Sequence, residues 1–149
     1  MELIIKRYEE LTGDEMYEIL KARINIFVVE QNCPYPEADD KDKKSCHIFY
    51  RNENGVQAYI RVVDKGVSYP DEPSIGRVIT VARGTGLGYK IMCEGIKYVR
   101  EVLHENRIRI SAQLYAKGFY EKCGYTAFGE IEPEEGCPHI WMIKNLIDN

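Results

Sequence analysis

The stretch Arg83-Gly84-Thr85-Gly86-Leu87-Gly88 joins a β-like apolar run at residues 74–81 to a helical pattern that begins near Leu87. Glycines between a strand and a helix expose the backbone N–H groups of the helix N-terminus, and such groups bind anions, above all phosphates. Two common phosphate loops are excluded: no Lys-Ser/Thr follows the last glycine, and the third glycine comes one residue too early for a dinucleotide fingerprint. The run fits Arg-x-x-Gly-x-Gly instead, although glycine-rich turns also form for backbone reasons alone.

The residues on either side of this loop predict a strand–helix–strand unit. The residues after it carry apolar side chains at helical spacing and polar ones opposite, as in a helix packed on a sheet. Alternating isoleucines and arginines at 107–111 then predict a strand. The apolar helix positions are Leu87, Ile91, Met92, Ile96, Val99, Val102 and Leu103.

The rest of the chain adds helices and hairpins. Thr12 and Glu15 form a capping-box pattern that predicts a helix from there to about Glu30, ended by the prolines at 34 and 36. Asn54-Gly55 predicts a hairpin between strands at 46–51 and 56–63. A first strand at 3–5, a short helix at 114–123 and a last strand pair at 125–130 and 137–144 complete the order. We expect one α/β domain over 1–149, with a mixed, mostly antiparallel sheet of about six or seven strands and helices on both faces.

Composition narrows the function classes. The 149 residues include 20 basic and 24 acidic ones, a net charge of −4, which argues against a protein that binds nucleic acid by neutralising phosphates. No apolar run approaches the ~20 residues of a membrane span, and the N-terminus lacks the layout of a signal peptide. We therefore expect a cytoplasmic protein with neither a nucleic-acid nor a membrane partner.

The five cysteines are expected to be free thiols. Their number is odd, no two form a C-x-x-C pair, and no secretion signal is present. Cys93 and Cys123 are interpreted as packing residues. Cys137-Pro138-His139 lacks a second ligand pair at zinc-finger spacing, so no metal is expected.

Two further segments carry a family resemblance. Residues 116–125, Ala-Lys-Gly-Phe-Tyr-Glu-Lys-Cys-Gly-Tyr, resemble A-x-x-[FL]-Y-E-K-x-G-[FY], the second signature of the GNAT superfamily of N-acetyltransferases, whose pyrophosphate loop reads Arg-x-x-Gly-x-Gly. Residues 20–37 are similar to the LR-x-x-VFVVEQ-x-CPY segment of ElaA-like acetyltransferases. Ile75-Gly76-Arg77-Val78, Ser111-Ala112-Gln113 and Pro138-His139 also match that group, so the resemblance covers roughly residues 3–143.

The resemblance implies acetyl-CoA as co-substrate and a small-molecule or peptide amine as acceptor. The phosphates are expected on the backbone of the loop, the pantetheine arm along the end of the preceding strand, and the sulfur near Tyr120. The expected cofactor-binding residues are Ile79, Thr80, Val81, Arg83, Gly84, Thr85, Gly86, Leu87, Gly88, Gln113 and Tyr120. Homodimers are common in the superfamily, so a homodimer is among the expectations.

Acetyl transfer needs a neutral amine and a proton for the departing thiolate. Tyr120 is predicted as the general acid. The base stays open among His139, Glu30, His47 and an ordered chain of water molecules. Arg77 and Arg61 are predicted either to bind a substrate carboxylate or to pair with Glu30, and His47 is also placed at the substrate.

The sequence leaves open which acceptor is used and whether the protein has the expected activity. If the acidic loops at 37–40 and 130–135 border the cleft, they favour a cationic amine; otherwise they are solvated faces. A non-catalytic CoA-binding or sensing module, and an acyltransferase with another acyl group or acceptor, are the alternative functions.

Overall fold

The computed structural model describes residues 1–30, 37–134 and 137–146. Its strands are β1 (Glu2–Arg7), β2 (Ser45–Asn52), β3 (Gly55–Val63), β4 (Ser74–Thr80), β5 (Arg107–Gln113), β6 (Thr126–Glu134) and β7 (Cys137–Asn145). Its α-helices are α1 (Gly13–Arg23), α2 (Leu87–Glu101) and α3 (Lys117–Lys122), and a π-helix, Ile24–Glu30, continues α1. Short 3-10 helices lie at Tyr8–Glu10, Asp40–Lys44 and Leu114–Ala116. The predicted α/β class, with its mostly antiparallel strands and its helices, is confirmed.

The strands form two antiparallel sheets that meet at β4 and β5. The first has the order β1-β2-β3-β4 and the second β5-β7-β6. A backbone hydrogen bond of 3.1 Å, from the N–H of Arg109 to the carbonyl of Pro73, joins the two edges where β4 begins. Farther along, β4 pairs only with β3 and β5 only with β7 among the described residues, so the two edges diverge.

Helix α2 and α1 cover opposite sides of the first sheet. Ile91, Met92 and Val99 of α2 are completely buried in a core with strands of both sheets. Gly95 brings α2 close to the sheet, because a Cβ there would lie 3.1 Å from Cδ1 of Ile60. Ile19 of α1 belongs to a second core on the other side of the sheet. Strand β3 is therefore buried on both faces.

The N-terminal helix confirms its predicted start and departs from its predicted end. The Thr12 hydroxyl accepts from the N–H of Glu15, and the Glu15 carboxylate accepts from the N–H of Thr12 at 2.9 Å, which is the capping box. The prediction of one α-helix to Glu30 is wrong, because Ile24–Glu30 winds as a π-helix. π-Helical turns are rare and are frequently found at functional sites.

Three cysteines, Cys46, Cys93 and Cys123, are free thiols as expected. Cys137 is disulfide-bonded, so the expectation of free thiols is wrong there, because an odd count and the absence of C-x-x-C do not exclude pairing between distant cysteines. Cys93 is exposed rather than packed in the core. Cys33 lies outside the described residues. Within the described ranges, no helix is long and apolar enough to cross a bilayer.

Candidate active site

A cavity of about 490 Å³ opens where β4 and β5 diverge. Its walls come from both sheets and from the helices next to them. The π-helix contributes Ile26, Phe27 and Glu30. The far ends of β4 and β5 contribute Thr80 and Gln113. The lining also includes residues of the glycine loop, of α3 and of β7, so one extended ligand in the cavity can contact all three.

The glycine loop lies at one end of this cavity. Gly84 and Gly86 have φ of 74° and 75°, values that favour glycine, and a Cβ at either position would meet nothing within 4 Å. Gly86 is the N-cap of α2, whose first N–H groups have no partner inside the helix. The loop is exposed, and the side chain of Arg83 is 89% exposed. Open N–H groups, the positive end of a 15-residue helix and an exposed guanidinium beside them suit a pyrophosphate.

Gly88, the third glycine of the run, lies next to α3 and to the end of β4. A Cβ there would lie 3.6 Å from both Cε1 of Phe119 and Cγ2 of Thr80. Phe119 and Thr80 both line the cavity. A side chain at this position would make only ordinary van der Waals contacts, so close packing does not require the third glycine of the run.

A β-bulge shapes the β4 edge. The register between β3 and β4 shifts between Tyr59 and Arg61, and Arg77 on the bulged strand has a φ of 54°. Beyond the bulge, Ile79 pairs with Tyr59, and the N–H of Val81 donates to the carbonyl of Gln57 at 2.9 Å. Only one side of β4 is used in this ladder. The other edge offers backbone N–H and C=O groups to an extended ligand in the cavity.

Tyr120 lies on α3 and lines the cavity. Its ring packs edge-on against Phe119 and Tyr125, with 5.5 Å between ring centres in each case. Burial raises the pKa of the Tyr120 phenol well above its ordinary value, and Tyr115 and Cys123 act in the same direction. The phenol therefore keeps its proton at neutral pH and can donate it.

Two of the predicted base candidates, Glu30 and His139, also line the cavity. The Glu30 carboxylate is 57% exposed and lies 3.9 Å from the guanidinium of Arg83. His139 lies on β7 between Gln113 of β5 and Glu132 of β6. Its Nδ1 is 2.6 Å from the carbonyl of Cys137, which favours the tautomer with the proton on Nδ1 and a basic Nε2. The site thus holds a protonated phenol and two groups that can accept a proton.

Next to the cavity, three arginines and three carboxylates close into a ring of ion pairs, here called the charge ring. Each arginine contacts two carboxylates and each carboxylate contacts two arginines. In order, the ring runs Arg23, Glu37, Arg77, Asp39, Arg61, Asp42 and back to Arg23. The six N–O distances in that order are 2.8, 2.9, 3.5, 2.7, 2.9 and 2.8 Å. The charges sum to zero, which makes their burial tolerable.

Two of the predicted substrate-binding residues belong to the charge ring, where their partners differ from those that the sequence predicted. Arg61 is buried against Asp39 and Asp42, and Arg77, the only ring member at the cavity, is held by Glu37 and Asp39. Neither arginine pairs with Glu30 in the contacts of the described residues. The part of the acidic loop that enters the ring is thus a structural counter-charge and not a solvated face.

His47 is also buried away from the cavity. Its Nδ1 is 2.7 Å from the Tyr59 hydroxyl and its Nε2 is 2.8 Å from the carbonyl of Asp42. Burial lowers the pKa of His47, so its imidazole stays neutral. With both nitrogens engaged, His47 braces the backbone behind the charge ring, and the structure does not bring it to the substrate.

Sequence reasoning missed Arg23. This arginine is completely buried and donates to the side chains of Glu37 and Asp42. A signal was present, because Arg23 falls on the apolar stripe of the first helix between Ile19 and Phe27. A charged residue on a buried stripe requires a partner, but the sequence does not show which carboxylate supplies it.

Comparisons with known proteins concern the sequence and the fold as a whole. The family model described as acetyltransferase (GNAT) domain matches residues 27–146. The chain is 41% identical over 148 residues to UPF0039 protein sll0451 of Synechocystis sp., covering 97% of this chain and 95% of that protein. It is similar to the crystal structure of Escherichia coli ElaA, with a TM-score of 0.87, 28% identity and coverage of 97% and 99% of the two chains. An acyl-CoA N-acyltransferase from Pseudomonas aeruginosa gives a TM-score of 0.87 at 29% identity, with the same coverage.

Proposed function

The chain belongs to the acetyltransferase (GNAT) family of acyl-CoA-dependent acyltransferases, and we propose that it transfers acetyl from acetyl-CoA directly to a primary amine within a ternary complex. The observation that carries the proposal is the continuity of the cavity. It connects the glycine loop, the open edge of β4, the Tyr120 phenol and two proton acceptors. Those are the parts that direct acyl transfer to an amine needs.

The residues present suit acetyl-CoA. The backbone of Arg83 to Gly88 would hold the pyrophosphate, and the free edge of Ile79 to Val81 would pair with the amides of the pantetheine arm. Gln113, at the end of β5, faces this edge across the cavity. The thioester then falls near Tyr120, since the pantetheine arm follows β4 from the loop towards α3.

The chemistry divides between the two sides of the cavity. His139 or Glu30 takes a proton from the incoming ammonium, so that the nitrogen attacks the thioester carbonyl as a neutral amine. As the C–S bond breaks, Tyr120 gives its phenolic proton to the sulfur, which leaves as the thiol. The nitrogen loses its second proton to solvent as the amide forms, and solvent returns a proton to Tyr120. The products are the N-acetylated amine and CoA, with one proton released to solvent by the base.

A two-stage experiment tests the proposal. Calorimetric titration of the full chain with acetyl-CoA, CoA and ATP is expected to show binding of both CoA forms and not of ATP. Purified protein is then incubated with acetyl-CoA and a panel of primary amines, and release of free CoA thiol is followed. CoA binding without turnover of any amine in the panel would favour the non-catalytic module, and no CoA binding would remove the proposal altogether.

A further inference from the structure

Arg109 on β5 is a cation that no carboxylate of the described residues neutralises. Its guanidinium carbon lies 4.7 Å from the ring centre of Tyr69, 4.8 Å from that of Trp141 and 5.5 Å from that of Phe128. Its Nε is buried and has no hydrogen-bond partner. By contrast, the half-buried Arg7 and the buried Arg61 each have a carboxylate within 3 Å. Arg109 is thus held in place by aromatic rings, and within the described ranges its charge is not compensated by a carboxylate.

The rings leave part of the guanidinium open. The ring centres of Tyr69 and Trp141 are only 5.7 Å apart and the rings meet edge to face. With the guanidinium carbon less than 5 Å from both centres, the two rings form a corner around it and do not sandwich it. Arg109 itself is half-buried and Phe128 is 39% exposed, so the corner reaches the surface. A planar guanidinium that packs against aromatic rings is well suited to bind a carboxylate through two N–H groups.

The corner lies on the cavity side of the second sheet. Arg109, Ser111 and Gln113 share one face of β5, while Ile108, Ile110 and Ala112 point into the core. Trp141 and Phe128, which the guanidinium contacts, lie in register with Ser111, one row nearer to the cavity than Arg109 itself. Ser111 lines the cavity. The side chain of Arg109 therefore leans along the strand towards the site.

The opposite end of the same face is acidic. His139 lies in register with Gln113 and with the exposed Glu132, and Glu30 faces the same cavity. Arg83 partly offsets Glu30 at 3.9 Å, and the remaining negative charge at this end favours an incoming ammonium, whereas Arg109 favours an anion. Arg77 does not alter this polarity, because Glu37 and Asp39 neutralise it.

We propose that Arg109 binds a carboxylate of the acceptor, so that the acceptor is an extended amine with a carboxylate at its far end. This inference rests on the proposed acetyl transfer to an amine. His139 and Trp141 are two residues apart on β7, a separation of about 7 Å along the strand. An α-amino acid has a single carbon between amine and carboxylate and is too short. A dipeptide, whose two residues span about 7 Å, or an ω-amino acid of similar length fits the span.

The test compares matched amines with acetyl-CoA in excess. ε-Aminocaproate and hexylamine have similar carbon chains and differ by the carboxylate, and glycine supplies the carboxylate at short range. We expect kcat/KM for ε-aminocaproate to exceed that for hexylamine roughly tenfold or more, as for a hydrogen-bonded ion pair. Glycine is expected to show no such gain. In Arg109→Gln the ratio is expected to fall towards one.

Two further variants make the result decisive. Arg100→Gln removes one exposed positive charge on α2 and is expected to keep the wild-type ratio, which separates a local contact from net charge. Arg109→Lys keeps the cation without the planar guanidinium and is expected to give an intermediate ratio, even if Arg109→Gln folds poorly. Stabilisation of the protein–CoA complex by ε-aminocaproate, read as a shift in Tm, is expected in the wild type and lost in Arg109→Lys.

The outcomes distinguish the two proposals. Equal kcat/KM for ε-aminocaproate and hexylamine in the wild type, with both acetylated, would overturn the role of Arg109 and leave acetyl transfer standing. An unchanged ratio in both Arg109 variants would do the same and would make the aromatic corner a purely structural cluster. Absence of turnover with every amine, together with no Tm shift by ε-aminocaproate, would remove both.

Discussion

Oε1 of Glu37 lies 2.9 Å from Nε of Arg77, the residue with positive φ at the bulge of β4. The same oxygen accepts a hydrogen bond of 2.8 Å from Nε of Arg23, the last residue of α1. One buried carboxylate oxygen thus connects the start of the π-helix to the bulged strand. Because Glu30 lies on the first and the open edge on the second, the charge ring links two walls of the candidate active-site cavity.

Neutralising one member of the charge ring is expected to destabilise the fold strongly. Glu37→Gln leaves the three arginines of the ring with two carboxylates, and breaking a buried ion pair in this way costs about 3–5 kcal/mol. The matched control is Glu18→Gln, which removes a carboxylate from a half-exposed pair with Arg51 and should cost no more than about 1 kcal/mol. Urea unfolding of both variants measures the difference. Equal losses would mean that the ring contributes no more than a surface pair.

The charge ring also predicts how stability depends on pH. Burial alone raises the pKa of Asp42, but hydrogen bonds and charges from Arg23 and Arg61 outweigh it and hold the pKa below the ordinary 3.8. The unfolded chain therefore binds the proton more readily than the folded one. The contribution of Asp42 is complete above the unfolded pKa and is lost as the pH falls through the folded pKa. The free energy of unfolding should decrease more steeply below about pH 4 in the wild type than in Asp42→Asn.

Gly86→Glu is expected to abolish CoA binding. The new carboxylate would project from the N-cap of α2 into the space assigned to the pyrophosphate, where like charges repel. Gly66→Glu is the matched control, since Gly66 also has a positive φ and nothing within 4 Å of a Cβ. Both variants carry the same strain and charge, so calorimetric affinity for CoA separates position from strain. Full affinity in Gly86→Glu would show that the loop does not hold the phosphates.

Tyr120→Phe is expected to reduce kcat roughly 10²-fold, the usual effect of losing one acid–base group. CoA affinity should be nearly unchanged, because the ring still packs against Phe119 and Tyr125. Tyr17→Phe, a tyrosine 69% exposed on α1, serves as the control. Steady-state kinetics with any accepted amine give the answer. Wild-type kcat in Tyr120→Phe would leave the thiolate to be protonated by another group.

Thiol labelling is expected to separate the three free cysteines. Burial raises the pKa of Cys46 and Cys123 to about 11, whereas Cys93 is exposed on α2. Because the thiolate is the reactive form, native protein should be alkylated quickly at Cys93 and slowly at the two buried thiols. Mass spectrometry of the labelled peptides measures the rates. Fast labelling of Cys46 in native protein would contradict its burial in the core.

The sequence predicted local features well. The strand–loop–helix around Gly86, the capping box at Thr12 and the hairpin at Asn54-Gly55 depend on residues close together in the chain, and each is present. Tyr120 was placed by its flanking motif and lies at the cavity. These features follow from local dihedral preferences and periodicity.

The sequence did not predict contacts between residues that lie far apart in the chain. Glu37, Asp39 and Asp42 stand in a polar stretch that has the composition of a solvated loop, and only the fold reveals the arginines that bury them. The apolar residues of the π-helix recur at a spacing close to that of an α-helix, so the sequence does not reveal the wider turn. The corner at Arg109 needs residues from β5, β6, β7 and the loop before β4, which no spacing along the chain brings together.

The closed form of the charge ring restricts how this chain can diversify. A single substitution that removes the charge at one of its six positions breaks two ion pairs at once, so a neutral path through such changes requires a coordinated replacement of charges on separate elements. Changes of acceptor range are therefore far easier to reach through cavity residues outside the ring, such as Ile26, Ser111 and Tyr115. A laboratory library aimed at new acceptors should vary these and keep the ring intact.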